Sequence, residues 1–579
     1  MHHPVIVLKF GGSVLRGEQD LARCVREAYR WVREGRRVVA VVSAFEGQTD
    51  ALLARANAVT PTGAADARAL LLSTGEFTSA ALLALSAHKA GVAVRVCGPH
   101  EVDLRTSCAG QDADPASVDA AHLRAVLAAV PLVVVPGFVG VGPDRQVTLL
   151  GRGGSDLTAI LLADQLGARC RLIKDVDCLY ERDPAQVVPG PPPRRFRQTS
   201  WDCALSLDGG IVQHKAVRFA KERGLAFEVG TFQGDEASVI GPHQTRWFPT
   251  RAQRRPLRVS VLGCGVVGGG VARALMDGRD GCVLSRVLTR RAGSLPPDLP
   301  PDSATTRVED AIQESDVVVE LLGGVQPAAE WVHRALCSGK HVVTANKSLI
   351  VAYGTALEQT ARAHGVSLRF SAAVGGAVPM LETIGRAARE EGVASLECVV
   401  NGTCNFILNT LQDGRPLQTA IGEAQRLGFA EADPTRDVDG TDSHEKLRLL
   451  ARAAWGMDAQ TAEFARLGIV GAGSAVLHAP RPPGSCVRLV ARARRVGCVV
   501  DGGVAPAVIA PGHPLHDLPG AGNRLCLRTT TGRCITVDGT GAGRWPTTES
   551  VLGDLLELAR GDRAAHDAEE PREGAHHAA

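Results

Sequence analysis

Short apolar runs alternating with amphipathic segments set the rhythm of the first 235 residues. Val5–Phe10 and Arg37–Val42 read as strands around an amphipathic helix over Asp20–Glu34. Gly75–Ala90 reads as an Ala/Leu helix, and Val92–Val96 and Pro131–Val135 as further strands. Buried strands separated by helices predict a parallel or mixed sheet with helices on both faces. Pro189–Arg197 reads as an exposed loop inside this unit, 1–235. From Gln233 to Arg255 the pattern dissolves into polar sequence bearing Gly, Pro and Arg, which predicts a linker over 236–256. A new strand, Leu257–Leu262, opens a second βα series running to Val374, so 257–374 reads as another α/β domain. Over 375–540 the rhythm gives way to long helices (Met380–Glu390, Asn405–Leu411, Leu417–Leu427, Ser443–Ala454) with shorter strands. Residues 561–579 are small, charged and His-rich, which predicts a frayed, disordered tail.

Composition narrows the function classes. With 579 residues, 45% hydrophobic and 22% charged, the chain has ample core for several domains and is not a disordered one. Its 64 basic and 62 acidic side chains leave a net charge of +2 with no block of one sign, which excludes a dedicated nucleic-acid or membrane-surface protein. No run of about 18 apolar residues is present, and nothing near the start reads as a secretory signal. The 15 cysteines include no C-x-x-C pair, so neither a zinc ribbon nor a disulfide framework is supported. The expectation is a cytoplasmic multidomain enzyme acting on small molecules.

Gly263-Cys-Gly265-Val266-Val267-Gly268 follows a strand and opens a helical stretch. In a dinucleotide-binding turn the first glycine makes the tight turn, the second admits the pyrophosphate and the third packs helix on strand. Helix-terminal N–H groups then face the phosphates. The following strand, Cys282–Leu288, leads into Thr289-Arg290-Arg291 with no acidic residue for a ribose hydroxyl. Arg290 suits a 2′-phosphate, which favours NADP; a solvated loop arginine is the other reading, and NAD stays open. Gly323-Gly324, Thr344-Ala-Asn-Lys347 and Ser371–Gly376 each follow an apolar strand, where loops converge on the ligand crevice.

These segments, with Asn401-Gly-Thr-Cys-Asn-Phe-Ile-Leu408, Glu423–Asp433, Asp437–Lys446 and Gly539-Thr-Gly-Ala-Gly543, resemble the homoserine dehydrogenase family over about 256–560. The resemblance implies reduction of L-aspartate 4-semialdehyde to L-homoserine with NAD(P)H. It implies a Rossmann domain, an α+β substrate and dimerisation domain, and a return segment, 541–560, to the dinucleotide domain. By it Lys347, Lys446 and Asp442 are catalytic or substrate-site residues and Glu431 binds substrate. Gly263, Gly265, Val266, Val267, Gly268, Arg290, Gly323, Thr344, Lys347 and Gly543 line the cofactor. Asp442 and Lys446 are four apart and share a helix face. Ser371 stands where the family usually has the acidic residue of a sodium site, so sodium stays open.

In the first unit, Lys9-Phe-Gly11-Gly12-Ser13 ends the first strand, and Gly151-Arg152-Gly-Gly-Ser-Asp156 precedes a helix. Two glycine-rich turns with embedded charge suit phosphate, and the spacing is not that of a P-loop. With Thr49-Asp50, Gly75-Glu76, Asp175-Val-Asp-Cys-Leu-Tyr180-Glu-Arg182 and His214-Lys-Ala-Val217 they resemble aspartokinase, of the amino-acid-kinase fold, over about 4–235. That implies L-aspartyl 4-phosphate formation from L-aspartate and ATP with Mg2+. Lys9 and Asp156 would hold the transferring phosphoryl group, Thr49, Glu76 and Arg152 would bind aspartate, and Gly11, Gly12, Ser13, Asp175, Tyr180 and Arg182 would line the nucleotide. Cys178 departs from the family's usual glycine, and Ser13-Val14 from its usual Thr/Ser-Ser. Gln233–Arg255 is too short for the regulatory modules such kinases carry. The expected protein is a bifunctional kinase and dehydrogenase, homodimeric or larger. A monofunctional dehydrogenase with an inactive kinase-like scaffold, and a kinase for another acyl substrate, are the competing readings.

Overall fold

The computed structural model describes residues 4–569 except 109, 186–190, 208–209, 250–254, 457–462, 472–474, 498 and 542. The chain divides into two compact units, Met1–Arg254 and Arg255–Ala579.

The first unit is built on nine strands. These are β1 Val5–Phe10, β2 Arg37–Val42, β3 Val94–Val96, β4 Leu132–Pro136, β5 Arg169–Ile173, β6 Phe196–Ser200, β7 Phe227–Gly230, β8 Ser238–Gly241 and β9 Arg246–Trp247. They lie in the order β9-β6-β8-β7-β5-β1-β2-β4-β3. Alternation splits β1 between two cores: Ile6, Leu8 and Phe10 pack on one face, Val7 on the other. The long helix α1 (Ala65–Lys89) covers the first face, and α2 (Gly154–Leu166) the second. A smaller four-stranded sheet, Arg105–Thr106, Pro115–Ser117, Val139–Val141 and Val147–Leu149, adjoins. The segment expected as a linker from 236 instead supplies β8 and β9, and the expected loop over Pro189–Arg197 runs into β6. Strands of four and two residues are too short to show a period.

The second unit opens with six parallel strands: β10 Leu257–Leu262, β11 Cys282–Leu288, β12 Ala304–Thr305, β13 Val317–Glu320, β14 His341–Thr344 and β15 Leu368–Arg369. Their order, β12-β11-β10-β13-β14-β15, reverses between β10 and β13, the switch point of dinucleotide-binding sheets. Helix α3 (Val266–Leu275) follows β10, and α4 (Lys347–Ala363) follows β14. A second, largely antiparallel six-stranded sheet carries α5 (Gly402–Gln412) and α6 (Thr441–Trp455). The last helix, α7 (Arg544–Glu569), returns to the Rossmann sheet, where Val551, Leu552 and Leu555 share a core with Val271 and Leu275 of α3. It stays helical through Glu569, where the sequence pattern predicts a tail from 561; residues 570–579 lie outside the described residues.

Candidate active sites

Because Val7 points to the α2 side, so does Lys9, two residues on. β5 runs parallel to β1 with Lys9 opposite Leu172 and Phe10 opposite Ile173, so Lys174 emerges at the same sheet end. The first turn of α2 brings Asp156 between them. Lys9 Nζ lies 2.6 Å from Asp156 Oδ1, and Lys174 Nζ lies 3.3 Å from Oδ2. Burial opposes charge on Asp156, but Lys174 and Lys9 outweigh it and hold the carboxyl down at about 2. Burial, partly offset by Asp156, draws Lys9 below its ordinary value. A Cβ at Gly11 would lie 2.5 Å from the Lys9 ammonium, so a side chain there would push that ammonium from its place.

These groups open into a cleft of about 850 Å³. Its lining brings together every kinase-half residue singled out from the sequence: Lys9, Gly11, Gly12, Ser13, Thr49, Glu76, Arg152, Asp156, Asp175, Tyr180 and Arg182. Lys174, which sequence reasoning missed, lines it too. Glu76, buried on α1, accepts from Ala44 N at 3.3 Å through Oε1, while Oε2 has no hydrogen-bond partner among the described residues. Burial raises this carboxyl to about 7 despite the backbone bonds. The Tyr180 hydroxyl donates to Asp177 Oδ1 at 2.6 Å, and Arg182 donates to the Pro191 carbonyl. Cys178 is fully buried, burial pushes its thiol up to about 12, and its φ lies outside the left-handed region, so the departure from glycine costs no strain.

In the second unit, Gly263–Gly268 spans the β10–α3 turn at the switch point. A Cβ at Gly268 would lie 1.9 Å from the Gly263 carbonyl oxygen, whereas one at Gly265 would meet nothing within 4 Å. The third glycine thus seats helix on strand and the second leaves the backbone open to a ligand, which fits a pyrophosphate. Gly268→Ala should cost about 1–3 kcal/mol of overpacking and weaken dinucleotide binding tenfold or more, read by thermal melting with and without cofactor. Val266 is 62% exposed beside this turn, and Arg290 is exposed after β11. Gly323 and Gly324 leave β13 at positive φ, and Gly543 ends the crossover into α7.

Glu320, fully buried at the end of β13, ties the neighbouring loops together. It accepts from Thr344 Oγ1 at 2.5 Å, Asn346 Nδ2 at 3.3 Å and Leu322 N at 2.9 Å. The Thr344 side chain, expected at the cofactor, is therefore committed to shaping the loop that carries Lys347, since its oxygen also receives Asn346 N at 2.9 Å.

Lys347 begins α4 and meets Asp442 from the first turn of α6. Lys446, one turn on, bonds Asp442 Oδ2 at 2.9 Å and the Val400 carbonyl at 2.9 Å, as the spacing of four requires. Glu445 lies 3.1 Å from Lys347. Asn401, the cap of α5, donates to Asp442 at 2.8 Å and Asp437 at 2.7 Å. Burial opposes charge on Asp442, yet Lys446 and Lys347 hold its carboxyl far below the usual range. Burial likewise opposes charge on Lys347, and Asp442 and Glu445 prevail, raising it. Burial pushes Asp437 up. Asn401, Asp437 and Glu445 were not singled out from the sequence, though all three lie inside the motifs that carry the resemblance. Glu431 is exposed, and its described bond is through its backbone carbonyl, to Gln425 Nε2 at 3.2 Å; no described ion pair joins it to the lysine cluster.

Each unit thus sets two lysines on one aspartate, Lys9 and Lys174 on Asp156 and Lys347 and Lys446 on Asp442. Together they define a small-molecule kinase and a nicotinamide-dependent dehydrogenase on one chain. Residues 379–556 match the homoserine dehydrogenase family, residues 263–371 the homoserine dehydrogenase NAD-binding domain, and residues 4–226 the amino acid kinase family. Homoserine dehydrogenase of Bacillus subtilis is 34% identical over 321 residues, 53% of this chain and 74% of that protein. That of Pseudomonas aeruginosa is also 34% identical, over 53% of this chain and 73% of its own length. A homoserine dehydrogenase structure from Thiobacillus denitrificans is similar at 33% identity and TM-score 0.49, covering 55% of this chain and 76% of that one. The chain belongs to the homoserine dehydrogenase family, with an amino acid kinase domain at its N-terminal end.

Proposed function

We propose that the first unit phosphorylates the 4-carboxylate of L-aspartate with ATP and that the second reduces L-aspartate 4-semialdehyde to L-homoserine. The observation that supports both is the pair of lysine–aspartate–lysine bridges. In the kinase cleft, Asp156 fixes Lys9 and Lys174 so that two ammonium groups face the phosphoryl oxygens, and catalysis is positioning plus charge neutralisation. Arg152 suits a substrate carboxylate and Glu76 the substrate ammonium. Mg2+ would enter with the ATP phosphates, and Asp156 and Asp175, which line the cleft, are the carboxylates that would hold it. The complete constellation favours an active kinase over a scaffold, since a binding module needs no buried pair of lysines.

In the dehydrogenase crevice, NADPH is the cofactor Arg290 favours, and when bound it supplies the hydride. Lys347 and Lys446 present positive charge to the aldehyde oxygen as it gains negative charge, and an ammonium there delivers the proton. Asp442, Glu445 and Asp437 orient the lysines and offer carboxylates to the substrate's amino group. For sodium, Ser371 lacks a carboxylate, and its N–H is given to Asp554 at 2.9 Å; no step is assigned to that ion. Self-association belongs to the same proposal.

The test is a coupled one: Mg-ATP with aspartate should release ADP and yield a hydroxamate with hydroxylamine, and aspartate semialdehyde should oxidise NADPH. Loss of the hydroxamate with dehydrogenation intact would favour the scaffold reading. Glu76 adds a pH signature. As the pH rises through about 7 its carboxylate forms, so the KM for aspartate should fall, and Glu76→Gln should flatten that profile and raise KM about tenfold. The folded state also binds more protons than the unfolded one between 4.5 and about 7, so this group's stabilising contribution declines as pH rises across that window and the variant loses the slope.

A further inference from the structure

The Pro- and Arg-rich stretch Pro189–Arg197 places none of its described residues, 191–197, in the lining of the kinase cleft. It runs instead against the back of one wall of that cleft, Leu179–Asp183. Tyr180 and Arg195 form an antiparallel bridge. Phe196 N donates to the Leu179 carbonyl at 2.9 Å, and Glu181 N to the Arg194 carbonyl at 3.2 Å. Side chains repeat the pairing: Arg194 Nε donates to Glu181 Oε2 at 2.9 Å, and Arg182 to the Pro191 carbonyl.

Arg195 is the buried member of this strap, only 8% exposed, which is unusual for an arginine unless it is paired. Its Nη1 donates to Asp177 Oδ2 at 3.1 Å and to Glu236 Oε2 at 2.6 Å, and its Nη2 to the Pro249 carbonyl at 3.1 Å. The other Asp177 oxygen accepts the Tyr180 hydroxyl at 2.6 Å. Glu236 is fixed from behind, because fully buried Arg171 on β5 donates to the carbonyls of Gly234 and Glu236 at 2.8 Å each. Ligand atoms of Asp177, Cys178 and Glu236 come within 4.8 Å of one another, so two half-buried carboxylates need a cation between them, and the guanidinium is that cation. A line of charge-assisted bonds therefore leads from the sheet through Glu236, Arg195 and Asp177 to the Tyr180 hydroxyl. In the cleft Tyr180 keeps company with Leu179, Leu207, Ile211, Val212 and Ile240, which suit the flat face of a base, whereas the charged turns at Lys9 and Gly151 suit the phosphates.

We propose that Arg195 is a positioning residue for the nucleotide: it stays off the ligand and, by holding Asp177, fixes the Tyr180 ring as the surface on which the base stacks. The inference rests on the reading of this unit as an ATP-dependent kinase. Without the guanidinium, Asp177 and Glu236 repel, Asp177 turns away and the tyrosine ring loses its anchor. Stacking depends on ring orientation, so the base is held less well while the phosphate turns are untouched.

Equilibrium binding of Mg-ATP and of magnesium tripolyphosphate, which carries phosphates and no base, to the full-length chain tests this, with kinase rates alongside. Arg195→Met, which keeps the stem, should weaken Mg-ATP about tenfold and raise the KM for ATP by that factor, with tripolyphosphate affinity, the KM for aspartate and kcat each within about twofold of the parent. Tyr180→Phe, which keeps the ring and removes the hydroxyl, should weaken Mg-ATP about fivefold, and Arg195→Met/Tyr180→Phe should bind no worse than Arg195→Met, since both changes cut one line. Should Arg195→Met fail to fold, Asp177→Ala cuts the same line and should give the same pattern. Unchanged ATP affinity in the variants, an equal loss of tripolyphosphate, or additive losses in the double variant would overturn the proposal. A parent that binds ATP but forms no hydroxamate would refute the kinase reading and leave this comparison standing; a parent that binds no ATP would refute both.

Discussion

Replacing Lys347 by alanine should lower kcat for aldehyde reduction by about a thousandfold while ATP-dependent formation of the hydroxamate continues at the parent rate. Lys347 is one of two cations aimed at the carbonyl site, and removing a preorganised charge from the developing oxyanion costs about two to three orders of magnitude. Losing the proton donor adds to that. The second loss comes from the carboxylates: without Lys347, Asp442 keeps only Lys446 and Glu445 only Arg436, at 2.6 Å, and the cluster is one positive charge poorer. Because Asp442 and Glu445 hold Lys347 above its ordinary 10.5, the parent should show no loss of rate from its deprotonation until the pH exceeds that value. A raised lysine stabilises the fold below its unfolded value and releases that stabilisation only as pH climbs through the folded one, so the variant's stability deficit should be constant across neutral pH. Lys347→Met, which keeps the stem and removes the charge, separates lost packing from lost electrostatics. Comparable kcat in parent and Lys347→Met would show that the cluster is an ordinary ion-pair network.

How far these sites could be read from the chain depended on whether the signal was local. The Gly263–Gly268 turn and the Lys9–Ser13 and Gly151–Asp156 segments declare themselves because their physics is confined to one strand, one turn and one helix start. Asp442 and Lys446 were legible for the same reason, being one turn apart on α6. Lys174 was not. It is a single lysine after an apolar strand, and what places it on Asp156 is the pairing of β5 beside β1, a contact set by sheet order rather than by spacing. Glu320 was missed because it ends an otherwise apolar strand, where its carboxylate is silent until Thr344 and Asn346 arrive from the next loop. The same non-locality hid the bond between the Thr344 hydroxyl and Glu320. At the fold level the βα rhythm carried both α/β layers, while β8 and β9 escaped because they are short and sustained by β6 and β7. The tail reading from 561 weighed charge and small residues against helix, whereas Ala, Arg and Glu are good helix formers and α7 continues through them.

Asp156→Asn should reduce phosphoryl transfer by about a thousandfold or more and leave the dehydrogenase untouched, the converse of the lysine result. The carboxylate is the one negative charge between two largely buried ammonium groups, 2.6 Å and 3.3 Å away. An amide of the same shape keeps the packing but removes the attraction that offsets burial of Lys9, whose proton affinity is already depressed. Lys9 and Lys174 then repel one another, and at neutral pH the cheapest response is for Lys9 to lose its proton or swing away from the phosphoryl oxygens. Either response removes charge where transfer needs it. Two consequences distinguish this from simple unfolding. Lowering the pH should partly recover the Asp156→Asn rate, because protonation returns the cation, whereas Lys9→Ala should show no such recovery. In the parent, Asp156 is held at about 2 against 3.8 unfolded, so its stabilising contribution is complete above 3.8 and vanishes as the pH falls through about 2; the variant should lack that portion of the acid-denaturation curve. If Asp156→Asn phosphorylates aspartate at the parent rate, the two lysines hold their places without the carboxylate, and the bridge is not what organises the cleft.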